Sequence, residues 1–229
     1  RIRSGCEALD RLLPTSGFAR GTLVEWLGVG SVSCSGAGTL ALLTAREALR
    51  GGGPLVVIDR GRVFYPPAAY GWGIDPAAMI LVRPTSKQDE HWVLDQVLRC
   101  SSVAAVLAWP DRLDARTFRR LQLAAEMGGG LGLLVRPQRA RREPSWADVR
   151  WLVQGQPVQG GQVLSAGWGL RVELLRVRGG LGAGSGRGLE RGSVELEIDE
   201  RAGTIHEAHR LPLATKLATP ASDRRRARA

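Results

Sequence analysis

Lysine is almost missing from this 229-residue chain: Lys87 and Lys216 are the only two, although lysine and arginine together number 32. Positive charge is carried by guanidinium groups, and chemistry that requires an ammonium must find it at one of those two places. Cysteine is scarce as well. Cys6, Cys34 and Cys100 form an odd, scattered set without C-x-x-C spacing, which argues against a disulfide framework and reads as reduced thiols in a cytosolic protein. His206-x-x-His209 lacks further ligands at metal spacing, so no metal site is expected. No stretch approaches the ~18 apolar residues of a membrane span. The chain begins at Arg1 rather than methionine and reads as trimmed at its start, which leaves a preceding targeting segment open.

Arginine is what the chain has in excess. With a net charge of +10 and 44% apolar residues, it reads as a globular protein whose balance favours a nucleic-acid or acidic-protein partner. A GC-rich coding bias is the competing explanation for any single arginine. The length suits one substantial core with appendages.

Along the chain, apolar runs alternate with amphipathic stretches. Ser4 and Glu7 followed by Leu9, Leu12 and Leu13 predict a short capped helix, and Thr22 to Leu27 a buried strand. Thr39 to Leu49 reads as a helix, and Leu55 to Ile58 as a central parallel strand whose signal Ile80 to Val82 repeats. Ser86 with Asp89 caps a helix ending near Arg99, Val103 to Trp109 is the next strand, Asp114 to Glu126 a helix, and Leu131 to Val135 a fifth strand. Beyond it, Trp146 to Val153 reads as a short helix, Gly167 to Val177 as a strand, and Val194 to Ile198 with Thr204 to His206 as a hairpin extending the sheet from its edge. This pattern predicts a doubly wound, mostly parallel α/β sheet flanked by helices, with antiparallel edge strands at the C-terminus. One core over 1–213 is expected, with a mobile glycine-rich insert at 179–192 and a basic, disordered tail at 214–229.

The segment Gly21 to Leu43 is a strand, a glycine-rich turn and a helix, the setting of a phosphate-binding loop. Such a loop needs G-x-x-x-x-G-K-[ST], because backbone amides cradle the phosphates, a lysine reaches the outer ones and a hydroxyl ligates magnesium. Here Gly28 opens a turn longer than the motif allows, and Gly36-Ala37-Gly38-Thr39 places alanine where the lysine belongs and glycine where the hydroxyl belongs.

In register, the first 135 residues resemble the RecA/RadA/KaiC class of ATPase cores, through Gly5-x-x-x-Leu9-Asp10, Thr22 to Thr39, and Val57-Ile58-Asp59 onward to Gly73-Ile74-Asp75. The resemblance implies a glutamate just after the second strand, where Arg60 and Gly61 stand, and a magnesium-holding aspartate where Trp109 stands. Ala104 to Pro137 is similar to the ImuA family of bacterial RecA-like proteins, most specifically in Arg119-Arg120-Leu121-Gln122-Leu123-Ala124-Ala125-Glu126. Val106 to Pro110, Arg136-Pro137, and Phe64-Tyr65-Pro66-Pro67 with Gly73-Ile74-Asp75 support it. The likeness covers roughly residues 4 to 178. It implies a non-catalytic accessory role in DNA-damage-inducible translesion synthesis, in the bacterial cytoplasm and at the nucleoid. The implied partners are an ImuB-like Y-family polymerase homologue, RecA, and an error-prone replicative-type polymerase subunit. No cofactor is expected. The alternatives are a RecA/KaiC-like ATPase, active or nucleotide-gated, with an unorthodox loop, and a non-specific single-stranded DNA-binding protein.

Remaining candidates follow from residue type. The turn Gly28 to Gly38 is an inherited fold element or an anion site, and Trp109 is a partner-facing anchor or a filler of the nucleotide's volume. Arg116, Arg119 and Arg120 are expected on one exposed helix face as a partner surface, against the bland alternative of a solvated helix. Arg136, Arg139, Arg141 and Arg142, with Trp146 as a stacking platform, form the expected DNA-binding loop. Asp59 and Asp111, without a histidine nearby in sequence, receive no acid–base role.

Overall fold

The computed structural model describes residues 1–30, 35–157, 167–178, 192–199 and 203–208. The expected tail and all but Gly192 of the expected mobile insert lie outside the described residues. Strands β1 (Leu23–Gly28), β2 (Leu55–Ile58), β3 (Met79–Val82), β4 (Ala105–Ala108), β5 (Leu131–Pro137), β6 (Val149–Gln156), β7 (Gly167–Val177), β8 (Ser193–Asp199) and β9 (Thr204–Glu207) form one sheet in the order β3-β2-β4-β5-β1-β6-β7-β8-β9. Pairings from β3 through β6 are parallel, and those from β6 through β9 are antiparallel. This is the mostly parallel α/β architecture with antiparallel C-terminal strands that the sequence pattern predicts.

Both faces are covered, as a parallel sheet requires. Successive strand side chains point to opposite faces, so Val57, Leu107 and Leu133 join the core beneath α1 (Glu7–Leu12) and α2 (Ala37–Leu49). Val56, Ile58 and Val106 join the core beneath α4 (Lys87–Arg99) and α5 (Ala115–Gly128). A shorter helix, α3 (Pro66–Gly71), lies between β2 and β3 in the chain. Capping is local: Ser86 Oγ accepts from Asp89 N at 3.0 Å, and Asp114 Oδ1 accepts from Thr117 N at 2.8 Å. Among the described residues no helix is long and apolar enough to cross a membrane.

Three expectations are corrected. Ser4 does not cap α1: Cys6 is the N-cap, with no side-chain bond, because the Ser4 hydroxyl donates to Cys6 O while Asp10 accepts from Ser4 N. The stretch read as a helix at Trp146 to Val153 is largely β6, whose Val149, Trp151 and Val153 point into one core at period two; Trp151 stacks on Trp26 of β1 with centroids 5.7 Å apart. Finally, β3 is not central. It pairs with β2 alone among the described residues, at the sheet edge, and leaves Ile80 half exposed at 50%.

The centre of the sheet contains a charge. Glu25 on β1 is fully buried between β5 and β6. Arg136 Nη1 donates to its Oε1 at 2.7 Å, Arg150 Nε to its Oε2, and Ser145 Oγ to the same Oε2 at 3.0 Å. Arg136 also donates to the carbonyls of Pro110 and Asp111 and pairs with Glu143, while Arg150 Nη2 donates to Ala140 O at 2.9 Å. Arg136 is therefore fully buried and cannot contact DNA, which removes it from the expected DNA-binding loop. Its position in a basic run misleads because burial depends on Glu25, far away in sequence. An uncompensated buried carboxylate is costly, so Arg136→Met should lower unfolding free energy by about 3–5 kcal/mol; a urea melt against the parent chain measures it.

Candidate functional site: a cleft at the strand ends and a basic face

The carboxyl ends of the parallel strands are where ligands of such sheets sit. Gly28 closes β1, and the chain re-enters helix at Gly36, whose φ of 78° lies in the left-handed region that favours glycine. Gly36, Ala37, Gly38 and Thr39 thus stand at the amino end of α2, as a phosphate loop would, but Ala37 is fully buried and Ser35 Oγ accepts its amide at 3.3 Å. From above, β7 bears on the turn. A Cβ at Gly36 would lie 2.5 Å from Leu170 Cδ2 and 2.8 Å from Trp168 Cζ3, so a methyl group there would have to push those side chains aside.

What remains open is a cleft of about 200 Å³ lined by Gly36, Gly38 and Thr39 on one side and by Phe64, Tyr65, Trp72 and Trp109 on the other. Among the described residues no charged side chain lines it. Trp109 follows β4 directly and meets Phe64 with centroids 6.0 Å apart, so it stands in the cleft wall with one edge toward solvent. The loop after β2 is shaped by Asp59. This buried carboxylate accepts from Val63 N at 2.8 Å and from Phe64 N at 3.3 Å, and Arg62 between them takes a φ of 54°. Asp59 is thus a loop brace. Gly61 is exposed, and Arg60, in place of the class's glutamate, donates to buried Glu90 at 2.9 Å, a partner that raises its pKa further.

The basic residues divide. Arg116 is exposed and has no carboxylate partner among the described residues, as do Arg141 and Arg142 on the 3₁₀ turn Gln138–Arg142. Arg139 pairs with Asp111. Arg120 is held 3.4 Å from Asp95, which also binds Arg99, so it is only partly free. Arg119 reaches Gln122 and lies 4.8 Å from the centre of the Trp146 ring, with Arg178 at 5.9 Å. Trp146 is thus occupied by guanidinium groups rather than bare for a base. The loop carrying it is tied down by Arg176, which donates to Ser145 O and Ala147 O. The sequence reading missed Arg176 and Arg178, and also Phe64, Tyr65 and Trp72 as cleft residues. The aromatic spacing Phe64, Tyr65, Trp72 on either side of a proline pair was the available signal.

No family model matches the chain. Protein ImuA of Caulobacter vibrioides (strain NA1000 / CB15N) is 32% identical over 193 residues, which cover 77% of this chain and 78% of that one. This chain belongs to the ImuA family. RecA of Nocardioides sp. is 32% identical over 127 residues, 56% of this chain and 35% of the RecA. The crystal structure of the RadB recombinase superposes with a TM-score of 0.66 at 19% identity, covering 91% of this chain and all of the recombinase. The ImuA-family chain therefore has a RecA-like core.

Proposed function

We propose that this ImuA-family protein is a non-catalytic accessory of DNA-damage-induced translesion synthesis that recruits polymerase-related partners. The observation that carries the reading is the combined state of the strand ends: Ala37 buried, Trp109 in the cleft wall, and Arg60 tied to Glu90. A triphosphate there would have backbone amides alone to offset its charge, without a lysine or a magnesium ligand. Calorimetric titration with ATP and magnesium should give no saturable heat at micromolar concentrations, and phosphate release should stay at background. Turnover above background would favour the ATPase alternative.

Recruitment needs surfaces. The exposed side of α5 presents Arg116 without a carboxylate partner, and β3 leaves an edge with Ile80 and Leu81 outward, a feature that soluble proteins usually cover. The partners proposed are an ImuB-like protein, RecA and an error-prone polymerase subunit, at the nucleoid. Because Arg120 faces Asp95, reversing it would place two carboxylates together and disturb the α4–α5 contact; Arg116 is the cleaner probe. Arg116→Glu should retain the parent melting temperature and weaken a purified ImuB-like complex about tenfold, or ~1.4 kcal/mol. Unchanged pull-down would move the contact off α5.

A second reading, single-stranded DNA binding, is favoured by Arg141 and Arg142, exposed and without a carboxylate partner among the described residues, a few positions before Trp146 in the chain. It predicts sequence-indifferent binding in which Arg141→Ala with Arg142→Ala flattens the log-log salt slope by roughly 0.7 per lost phosphate contact, read by fluorescence anisotropy at several salt concentrations.

A further inference from the structure

The cleft is too small and too apolar for the ligand its position suggests, and we propose that it receives one large apolar side chain, aromatic or long aliphatic, from a partner segment with acidic flanks. This rests on the accessory reading above and names the chemistry of one partner contact. Size is the first argument. At about 200 Å³ the cleft falls below the ~300–1,000 Å³ of pockets that enclose drug-sized ligands, so it holds a single residue rather than a nucleotide.

The lining is the second argument. Leu42 and Leu107 join Phe64, Tyr65, Trp72 and Trp109 with no side-chain charge among the described lining residues, the surroundings in which buried anchor residues dominate an interface. The walls are preorganised. Asp59 braces the Val63–Phe64 amides, Arg60 is held by Glu90, and Arg46 Nη1 donates to Trp72 O at 3.1 Å. Little ordering entropy therefore opposes insertion. Water also reaches an apolar rim, since Val63 is 51% and Tyr65 67% exposed.

Charge chooses the occupant. Arg62 is exposed on the turn beside Val63, and Arg83 Nε lies 3.9 Å from Asp59 Oδ2, against the loop that carries Phe64. Two carboxylates near this loop are already engaged, Asp59 by those two amides and Arg83, and Glu90 by Arg60, so Arg62 is the exposed charge at the mouth with no carboxylate partner among the described residues. A segment with acidic residues around its anchor is attracted to such a mouth. A second copy of this chain, at a net charge of +10, is repelled. A polyanion gains charge contacts at the rim and none inside.

The test uses the whole protein and three synthetic heptapeptides: a central phenylalanine with acidic flanks, the same flanks with a central alanine, and the phenylalanine with lysine flanks. Calorimetry should show the first binding at least tenfold tighter than either of the others. Ala68→Trp, at an exposed position that lines the cleft, should fill it and weaken the phenylalanine peptide at least tenfold with an unchanged melting temperature. Should that variant fail to fold, Tyr65→Ala, which trims an exposed wall, decides by the same loss of affinity. Arg62→Gly, compatible with the φ of 54° at that position, should reduce the preference for acidic over lysine flanks. Equal binding of the phenylalanine and alanine peptides, or affinity untouched by the decisive cleft variant, overturns the proposal. Absence of peptide binding without ATP turnover refutes this contact alone, whereas turnover of magnesium-ATP refutes the accessory reading beneath it.

Discussion

The structure turns on a carboxylate placed where a parallel sheet is driest. Glu25 sits on β1 between β5 and β6, fully enclosed, and an isolated ion there would be far too costly to keep. Arg136 and Arg150 neutralise it, and Glu143 pairs with Arg136 in turn, so two anions and two cations close on one another. Buried ion clusters of this kind add little net stability, yet they penalise every arrangement that leaves a member unpaired. Here the penalty sets geometry. Arg136 gathers the carbonyls of Pro110 and Asp111, immediately after Trp109, and Arg150 gathers Ala140, so the exits of β4 and β5 are tied to one knot.

Around that knot the strand ends carry apolar and aromatic side chains. A loop that holds phosphates must leave its amides open and bring cations to them. This one is pressed by Trp168 and Leu170, and Phe64 and Trp109 stand in the same cleft, while Arg60, after β2, is paired with Glu90. The RecA-like scaffold does not depend on that lining, because its sheet order and two helical layers rest on apolar alternation in the core.

Much of this was legible in the chain. Ser86 and Asp114 announce α4 and α5 by bonds to residues three positions away, and β2 and β4 are short apolar runs that leave little choice. The missing lysine and aspartate could likewise be read position by position. Longer-range partnerships could not. Ser145 and Asp148 have the spacing of a helix cap, but Ser145 donates to Glu25 and Asp148 accepts from Leu23 N, both on β1, and the segment continues as a strand. The run Arg136 to Arg142 looks uniform in sequence, yet Arg136 belongs to a carboxylate 111 residues away and Arg139 to one 28 residues away, leaving Arg141 and Arg142 for solvent. The cleft walls escaped for a similar reason: Phe64, Trp72 and Trp109 become neighbours only when β2 and β4 pair.

The turn at Gly36 also bears on the direction in which such a protein can change. A lysine at position 37 would start from a fully buried Cβ, one residue beyond a glycine at which an added methyl would meet Leu170 and Trp168. Three separate contacts shape this end of the sheet: the β7 side chains over Gly36, the Trp109–Phe64 pair and the Arg60–Glu90 bridge. A single substitution therefore alters one wall of the cleft and leaves the other two holding its shape.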